Sequence, residues 1–234
     1  MFPYLIWLKE VDSTQRRLKE SSLPYGTVFV ADVQKEGKGR KGRRWESQAG
    51  GLYISFVLWE GNFKHHVQIP LVVGLAVAKC IEDLGFSPSI KWPNDVYVAG
   101  RKLSGVLVEK SRERIVVGVG INVNQESFPG ELGDKATSLY ILTKKYYDRR
   151  EVLLAFLKHA ENLLEKYARE GFPPFLKEIK DRLMFLGCHV IVSSEKPITG
   201  VLEGIDREGF LLLRTSQGME RVIAGDVSLR PYLR

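Results

Sequence analysis

Apolar positions in the first third of the chain gather into runs of strand length. "YLIWLKEV" (Tyr4–Val11), "GTVFVADVQ" (Gly26–Gln34) and "GLYISFVLW" (Gly51–Trp59) are rich in β-branched and aromatic residues and bounded by Ser, Asp and Gly. Between the first two, Asp12 or Ser13 caps a short helix, "STQRRLKES". "VQIPLVVGLAVAKCIEDLG" has helical length, with Pro70 in its first turn and Gly85 just past its end. "SIKW" (Ser89–Trp92) is a short strand that Pro93 and Asn94 break. "VYVAGRKLSGVLVEK" reads as two strands joined at Ala99-Gly100, and "RIVVGVGINVN" as one more. The period then becomes helical. In "DRREVLLAFLKHAENLLEKYAREG", Val152, Leu153, Phe156, Leu157, Ala160, Leu163, Leu164 and Tyr167 form one stripe, with Asp148 as the cap and Gly171 as the stop. A second helix spans "PPFLKEIKDRLMFLG" (Pro173–Gly187). After it come "CHVIVSS", "ITGVLEGI", "GFLLLRT" and "MERVIAGDVSL", short strands separated by glycine or charged turns. The pattern predicts an α+β protein: a mixed β-sheet flanked by helices over residues 1–184, then a small β-barrel-like domain over residues 185–234.

Composition narrows the class. The 234 residues are 44% apolar and 27% charged, as in an ordinary globular protein. No apolar run reaches bilayer length. The start, "MFPYLIWLKE", is too short for a signal sequence and lacks a small-residue cleavage site, so the expected location is the cytoplasm. Cys80 and Cys188 are far apart and read as free thiols. The four histidines show no metal-ligand spacing. A net charge of +7 favours an anionic partner. The cations crowd into residues 35–44 among glycines, where a DNA-reading helix would melt.

That stretch, "EGKGRKGRRWESQAGG" (Glu36–Gly51), contains G-x-G-x-x-G at Gly37, Gly39 and Gly42. A dinucleotide fold requires a helix after the glycine turn. Only "RRWESQAG" separates Gly42 from the next strand, and Gly50-Gly51 would end any helix. A Walker loop requires Lys and Ser or Thr where Arg43 and Arg44 stand. A kinase glycine loop would need HRD and DFG sequences, which are missing. What remains is a loop whose glycines expose backbone N–H groups and whose arginines offer planar forks. Such a loop orders over an anionic ligand, and its bland alternative is a solvated basic turn.

A second cluster shifts that balance. "IKWPNDVYVAGRKLSGVLVE" sets Lys91, Asn94, Asp95 and Lys102 around one strand–turn–strand. Asn and Asp are common turn residues. Together with two lysines, an amide and a carboxylate also suit Mg²⁺ carried on nucleotide phosphates.

In order and spacing, "STQ" at Ser13–Gln15, "GKGRKGRRW" at Gly37–Trp45, "KWPND" at Lys91–Asp95, "RKLSGVLVE" at Arg101–Glu109 and "VGVGINVN" at Val117–Asn124 resemble the biotin protein ligases, or biotin–[acetyl-CoA-carboxylase] ligases. The resemblance covers nearly the whole chain. It implies a class II synthetase-like catalytic fold with a small C-terminal SH3-like β-barrel. With motifs starting at residue 13, it points to the ligase-only form without an N-terminal DNA-binding domain, so no DNA partner is expected. The family usually reads GRGRRGR, where this chain has Lys38 and Lys41. The family's Ser-Thr-Asn is here Ser-Thr-Gln, with Gln15 placing the amide on a longer arm.

The resemblance implies two half-reactions. Biotin carboxylate attacks the α-phosphate of ATP to give biotinyl-5′-AMP, and a lysine of the biotin carboxyl carrier protein then takes the biotinyl group. Arg40, Lys102, Lys91 and Asp95 would be catalytic. Ser13, Thr14, Gln15, Gln34, Lys38, Gly39, Arg40 and Lys102 would hold biotin. Arg40, Arg43, Trp45, Lys91, Asn94, Asp95 and Asn122 would hold ATP, and Asp95 would also be the Mg²⁺ ligand. Blander roles stand beside these: Ser13 and Thr14 as helix caps, Trp45 and Trp92 as packing, Asn122 as a strand end. A lipoate or octanoate ligase is the first rival, and a basic nucleic-acid-binding protein the second. An open sheet edge would allow a homodimer.

Overall fold

The computed structural model describes residues 1–63, 65–193, 197–223 and 228–231, the last four as backbone only. Seven strands form the large sheet: β1 (Tyr4–Val11), β2 (Thr27–Gln34), β3 (Leu52–Trp59), β4 (Pro88–Lys91), β5 (Asp95–Val98), β6 (Arg101–Ser111) and β7 (Arg114–Ile121). Their order is β1-β2-β3-β7-β6-β5-β4. β1 and β2 run parallel because helix α1 (Thr14–Glu20) joins them. The other pairs are antiparallel, in keeping with the hairpin reading.

Strand alternation divides the sheet into two faces. Leu52, Ile54, Phe56 and Leu58 of β3, with Ile115, Val117, Val119 and Ile121 of β7, enter the main core. Helices α2 (Ile69–Asp83) and α5 (Arg149–Glu170) cover that face. Asp148 caps α5 by accepting from the Arg150 backbone N–H at 2.8 Å, and Gly171 ends it at φ 71°. The opposite face is covered only in part. Leu18 of α1 packs with Phe29, Val57 and Val116 in a small second cluster. One short helix cannot cover seven strands, and the uncovered remainder becomes the floor of a cavity.

Two expectations change. The helix predicted over Pro173–Gly187 is only a 3-10 turn (Pro173–Phe175) and α6 (Leu176–Lys180). The chain leaves the helix because residues 182–184 pair with the sheet edge. The Ile90 N–H donates to Arg182 O at 2.7 Å, and the Met184 N–H donates to Ile90 O at 2.9 Å. Two short helices, α3 (Leu132–Lys135) and α4 (Leu139–Thr143), stand where no element was predicted.

Beyond Gly187, β8 (His189–Ser193), β9 (Ile198–Ile205), β10 (Leu211–Thr215), β11 (Gly218–Val222) and β12 (Ser228–Pro231) form an antiparallel sheet in the order β11-β10-β9-β8-β12. The strand read across "MERVIAGDVSL" is thus two strands, with residues 224–227 outside the described set, as Ser194 of the predicted first strand is. Val190, Val192, Leu202, Leu211 and Leu213 belong to the same core cluster as α2 and α5, so this sheet is packed onto the large one. Among the described residues no helix is long and apolar enough to cross a membrane.

Candidate active site

A cavity of about 750 Å³ lies over the partly covered face. Its floor forms where α1 begins. Ser13 caps the helix, its Oγ accepting from the Arg16 N–H at 3.3 Å. Asp12 accepts from the Ser13 N–H at 2.8 Å and from Arg16 Nε at 2.9 Å. Hydrogen bonding to the Arg16 guanidinium holds the Asp12 carboxyl well below the usual carboxylate range. Thr14, two per cent exposed, donates its N–H to Gln34 Oε1 at 2.9 Å, and its hydroxyl lies 2.8 Å from Ser55 Oγ. Gln34 Nε2 donates to Ser47 Oγ at 2.9 Å. Gln15 turns its amide inward: Nε2 donates to Val116 O, and Oε1 accepts from Ser55 Oγ at 3.3 Å. Gly118 makes room for that longer arm, since a Cβ there would lie 2.6 Å from Gln15 Oε1. The side chains that line the floor, Ser13, Thr14, Gln15, Gln34 and Ser55, are buried, polar and uncharged, and the Asp12–Arg16 pair lies outside the cavity lining.

The cavity mouth is cationic. No α-helix follows β2. The glycine loop instead closes on itself through a Lys38–Arg44 bridge, with the Trp45 N–H donating to Gly37 O at 2.9 Å. A 3-10 turn (Arg40–Gly42) sits at the tip, with Lys41 at φ 57°. Lys38, Gly39, Arg40 and Arg43 all line the cavity. Arg40 Nη1 donates to Asn94 Oδ1 at 2.8 Å, so the loop touches the second sequence cluster directly.

That cluster is positioned by a β-bulge. Val96 faces Ser104 and Tyr97 faces Lys102, so Leu103 is the extra residue. Lys102 and Gly105, three apart, therefore both face the cavity, while Leu103 enters the core. Lys102 Nζ lies 2.8 Å from Asp95 Oδ1 and 5.1 Å above the Trp45 ring. Trp45 lies flat on β6 and β7 because Gly105 and Gly120 leave it space; a Cβ on Gly120 would overlap the indole. Asn94 donates to Val106 O at 3.0 Å and to Asp95 Oδ1 at 3.1 Å. Lys91 lies 3.5 Å from the Tyr97 hydroxyl. Burial pushes the Tyr97 phenol up to about 12.

Every residue assigned to a site from the sequence lines this one cavity. Asn122 lines it with its amide occupied: Nδ2 donates to Thr137 O at 3.0 Å, and Oδ1 accepts from Gln125 Nε2 at 3.2 Å. Its visible work is to hold the 125–137 segment. Sequence reasoning missed Ser55, hidden in the apolar run of β3, and Tyr97. It also missed Phe128, Leu132, Asp134 and Lys135, which form a further cavity wall. "ESFPGELGDK" carries no periodicity that would have marked it. Among the described residues no group of three His, Cys, Asp or Glu is arranged to hold a metal. Asp95, engaged by Lys102 and Asn94, suits Mg²⁺ that arrives on a nucleotide and keeps most of its ligands from phosphate and water.

The model of the Biotin/lipoate A/B protein ligase family matches residues 7–126, and that of the Biotin protein ligase C terminal domain matches residues 185–230. The structure superposes on the biotin protein ligase of Aquifex aeolicus in complex with biotin and ATP with a TM-score of 0.95 and 47% identity, covering 99% of this chain and 100% of that one. The "Bifunctional ligase/repressor BirA" of Bacillus spizizenii is 35% identical, over 98% of this chain and 75% of that protein. The "Biotin--[acetyl-CoA-carboxylase] ligase" of Mycobacterium tuberculosis is 32% identical, over 86% and 78% respectively.

Proposed function

The chain belongs to the biotin/lipoate A/B protein ligase family, and from that premise we propose that it is an ATP-dependent biotin protein ligase. It joins biotin to a lysine of the biotin carboxyl carrier protein of acetyl-CoA carboxylase by way of biotinyl-5′-AMP. The observation that carries this reading is the polarity of the cavity: an uncharged floor of Thr14, Gln34 and Ser55, and a cationic mouth of Arg40, Lys91 and Lys102. Biotin has a matching shape, with a neutral ureido head and a carboxylate tail. Lipoate has a dithiolane head with no amide donor or acceptor to offer that floor, so it gains none of the hydrogen bonds that a ureido ring can make there.

The chemistry follows from placement. Two anions, the carboxylate and the α-phosphate, must approach within bonding distance, which cations at the mouth permit. Ser13, Thr14, Gln15 and Gln34 orient biotin, with Lys38 and Gly39 beside its chain. Arg40 and Lys102 bridge carboxylate and α-phosphate and stabilise charge as the acyl–phosphate bond forms and pyrophosphate leaves. Lys91, Arg43, Asn94 and Asp95 serve the triphosphate, and Asp95 would hold the Mg²⁺ that comes with it, which would neutralise phosphate charge. Trp45 walls the cavity beneath Lys102 and excludes water from the anhydride, with Asn122 behind it. The acceptor lysine then attacks the acyl carbon and AMP departs. We assign residues 1–184 to the catalytic domain and residues 185–234 to the smaller one. A homodimer would use the outer edge of β1.

Intact mass after incubation with biotin, MgATP and a biotin carboxyl carrier domain tests this. One added biotinyl group is expected. Absence of the adduct, or an equal adduct with lipoate in place of biotin, would sink the reading.

A further inference from the structure

The alternation of β5 puts Asp95 and Tyr97 on the cavity side and Val96 and Val98 in the core. The strands on either side each bring a lysine to the cavity. Across β4 and β5, Lys91 pairs with Asp95, and Ser89 pairs with Tyr97. Across β5 and β6, the bulge sets Lys102 opposite Tyr97. The Tyr97 ring therefore stands on the middle strand, between two lysines.

Each of those lysines has an aromatic ring of its own. Lys91 Nζ lies 5.3 Å from the centroid of the Tyr97 ring and 3.5 Å from its hydroxyl. Lys102 Nζ lies 5.1 Å from the Trp45 ring, which rests on β6 and β7. At 3.5 Å the hydroxyl contact is long for a hydrogen bond, so the ring face is the main hold on Lys91. A ring attracts an ammonium without bringing a formal charge that would compete with phosphate. Burial, with the Asp95 carboxylate nearby, pushes the Tyr97 phenol up to about 12. It stays protonated at neutral pH and adds no negative charge of its own.

We propose that Tyr97 is a positioning residue: its ring face sets where the Lys91 ammonium stands, and through Lys91 it governs binding of the ATP triphosphate. This rests on the ligase reading above. Lysine has a flexible four-carbon stem, so an ammonium that loses its platform samples more positions and meets the phosphates less often.

Biotin-dependent ATP–pyrophosphate exchange of wild type, Tyr97→Phe, Tyr97→Leu, Lys91→Ala and the double variant of Lys91→Ala with Tyr97→Leu tests it. Phenylalanine keeps the ring and should leave KM for ATP and for biotin within about twofold of wild type. Tyr97→Leu removes the ring and should raise KM for ATP about fivefold, with KM for biotin within about twofold. The double variant should match Lys91→Ala to within about twofold, because a residue that acts through Lys91 then has nothing to act on. In the unliganded protein, Lys91 of Tyr97→Leu should be acetylated by trace acetic anhydride about threefold faster than Lys91 of wild type or Tyr97→Phe, as its amine leaves the ring. Unchanged KM for ATP in Tyr97→Leu, equal rises for both substrates, equal losses in Tyr97→Phe and Tyr97→Leu, or effects that multiply in the double variant overturn the positioning role. If Tyr97→Leu fails to fold, Tyr97→Val, whose β-branch suits a strand, stands in with the same expectations. Wild-type protein without biotin-dependent exchange would defeat the ligase reading instead, while acetylation would still report whether the ring holds Lys91.

Discussion

Arg40 Nη1 and Asn94 Oδ1 are hydrogen-bonded at 2.8 Å across 54 positions of sequence. The bond ties the tip of the glycine loop to the turn after β4. Asn94→Ala should therefore speed proteolytic cleavage within residues 36–48 in the unliganded protein, whereas biotin plus ATP should protect wild type. Limited proteolysis read by mass spectrometry checks both. Equal rates in every state would contradict the loop's ordering over ligand.

Arg40→Gly removes a cation from the mouth and adds backbone freedom to a loop that is costly to order. Activated biotin should escape more readily, seen as increased labelling of free amines without carrier. Labelling no higher than wild type would count against a role in retention.

Lys102→Ala should slow the first half-reaction by about 2–4 kcal/mol, as loss of a charge-stabilising donor does. Lys102→Arg should not restore it, because a planar guanidinium cannot take the place of a compact ammonium both above Trp45 and against Asp95. Single-turnover adenylation is the measurement, and a rate within a factor of two of wild type would reject the assignment.

Gly120→Ala places a methyl where the Trp45 indole lies. The ring must leave the sheet, so KM for biotin and for ATP should both rise by about tenfold, the size of one lost packing contact of 1–2 kcal/mol. Steady-state kinetics on protein of unchanged circular dichroism would show it. Wild-type constants would mean that Trp45 walls nothing the substrates need.

Asp12 has a folded pKa below its unfolded value, through its bonds to Arg16 and the Ser13 N–H. Its stabilising contribution is present above the unfolded value and is lost as pH falls through the folded one. Asp12→Asn should lower Tm at neutral pH by about 2 °C, the small size reflecting solvent exposure of the pair. The difference from wild type should shrink below about pH 4. A constant difference from pH 7 to pH 2 would show that Asp12 contributes through shape rather than charge.

Much of the fold was legible because local signals agreed. Runs of β-branched and aromatic residues marked β2 and β3, the stripe from Val152 to Tyr167 marked α5, and the missing helix after Gly42 excluded a dinucleotide fold. What was illegible depended on distant partners. The helix predicted over Pro173–Gly187 had good periodicity, yet residues 182–184 pair with Ile90, a contact no local pattern encodes. In the site, charge and glycine drew attention to Arg40, Asn94 and Lys102, which the structure brings together. Ser55 escaped notice because a serine inside an apolar strand looks like an interruption. Phe128 and Leu132 escaped because an irregular stretch followed by a single helical turn is too short to show a period.

The pairing of residues 182–184 with β4 has a consequence for self-association. At that margin Ile90 has both its backbone donor and its acceptor engaged, and Pro88 has no N–H to offer. The opposite margin, β1, has no outer neighbour among the described residues. Growth of the large sheet by strand addition is thus one-sided among the described residues. Two copies meeting β1 to β1 would use the one open margin of the large sheet among the described residues, so growth of that sheet would stop at a closed dimer.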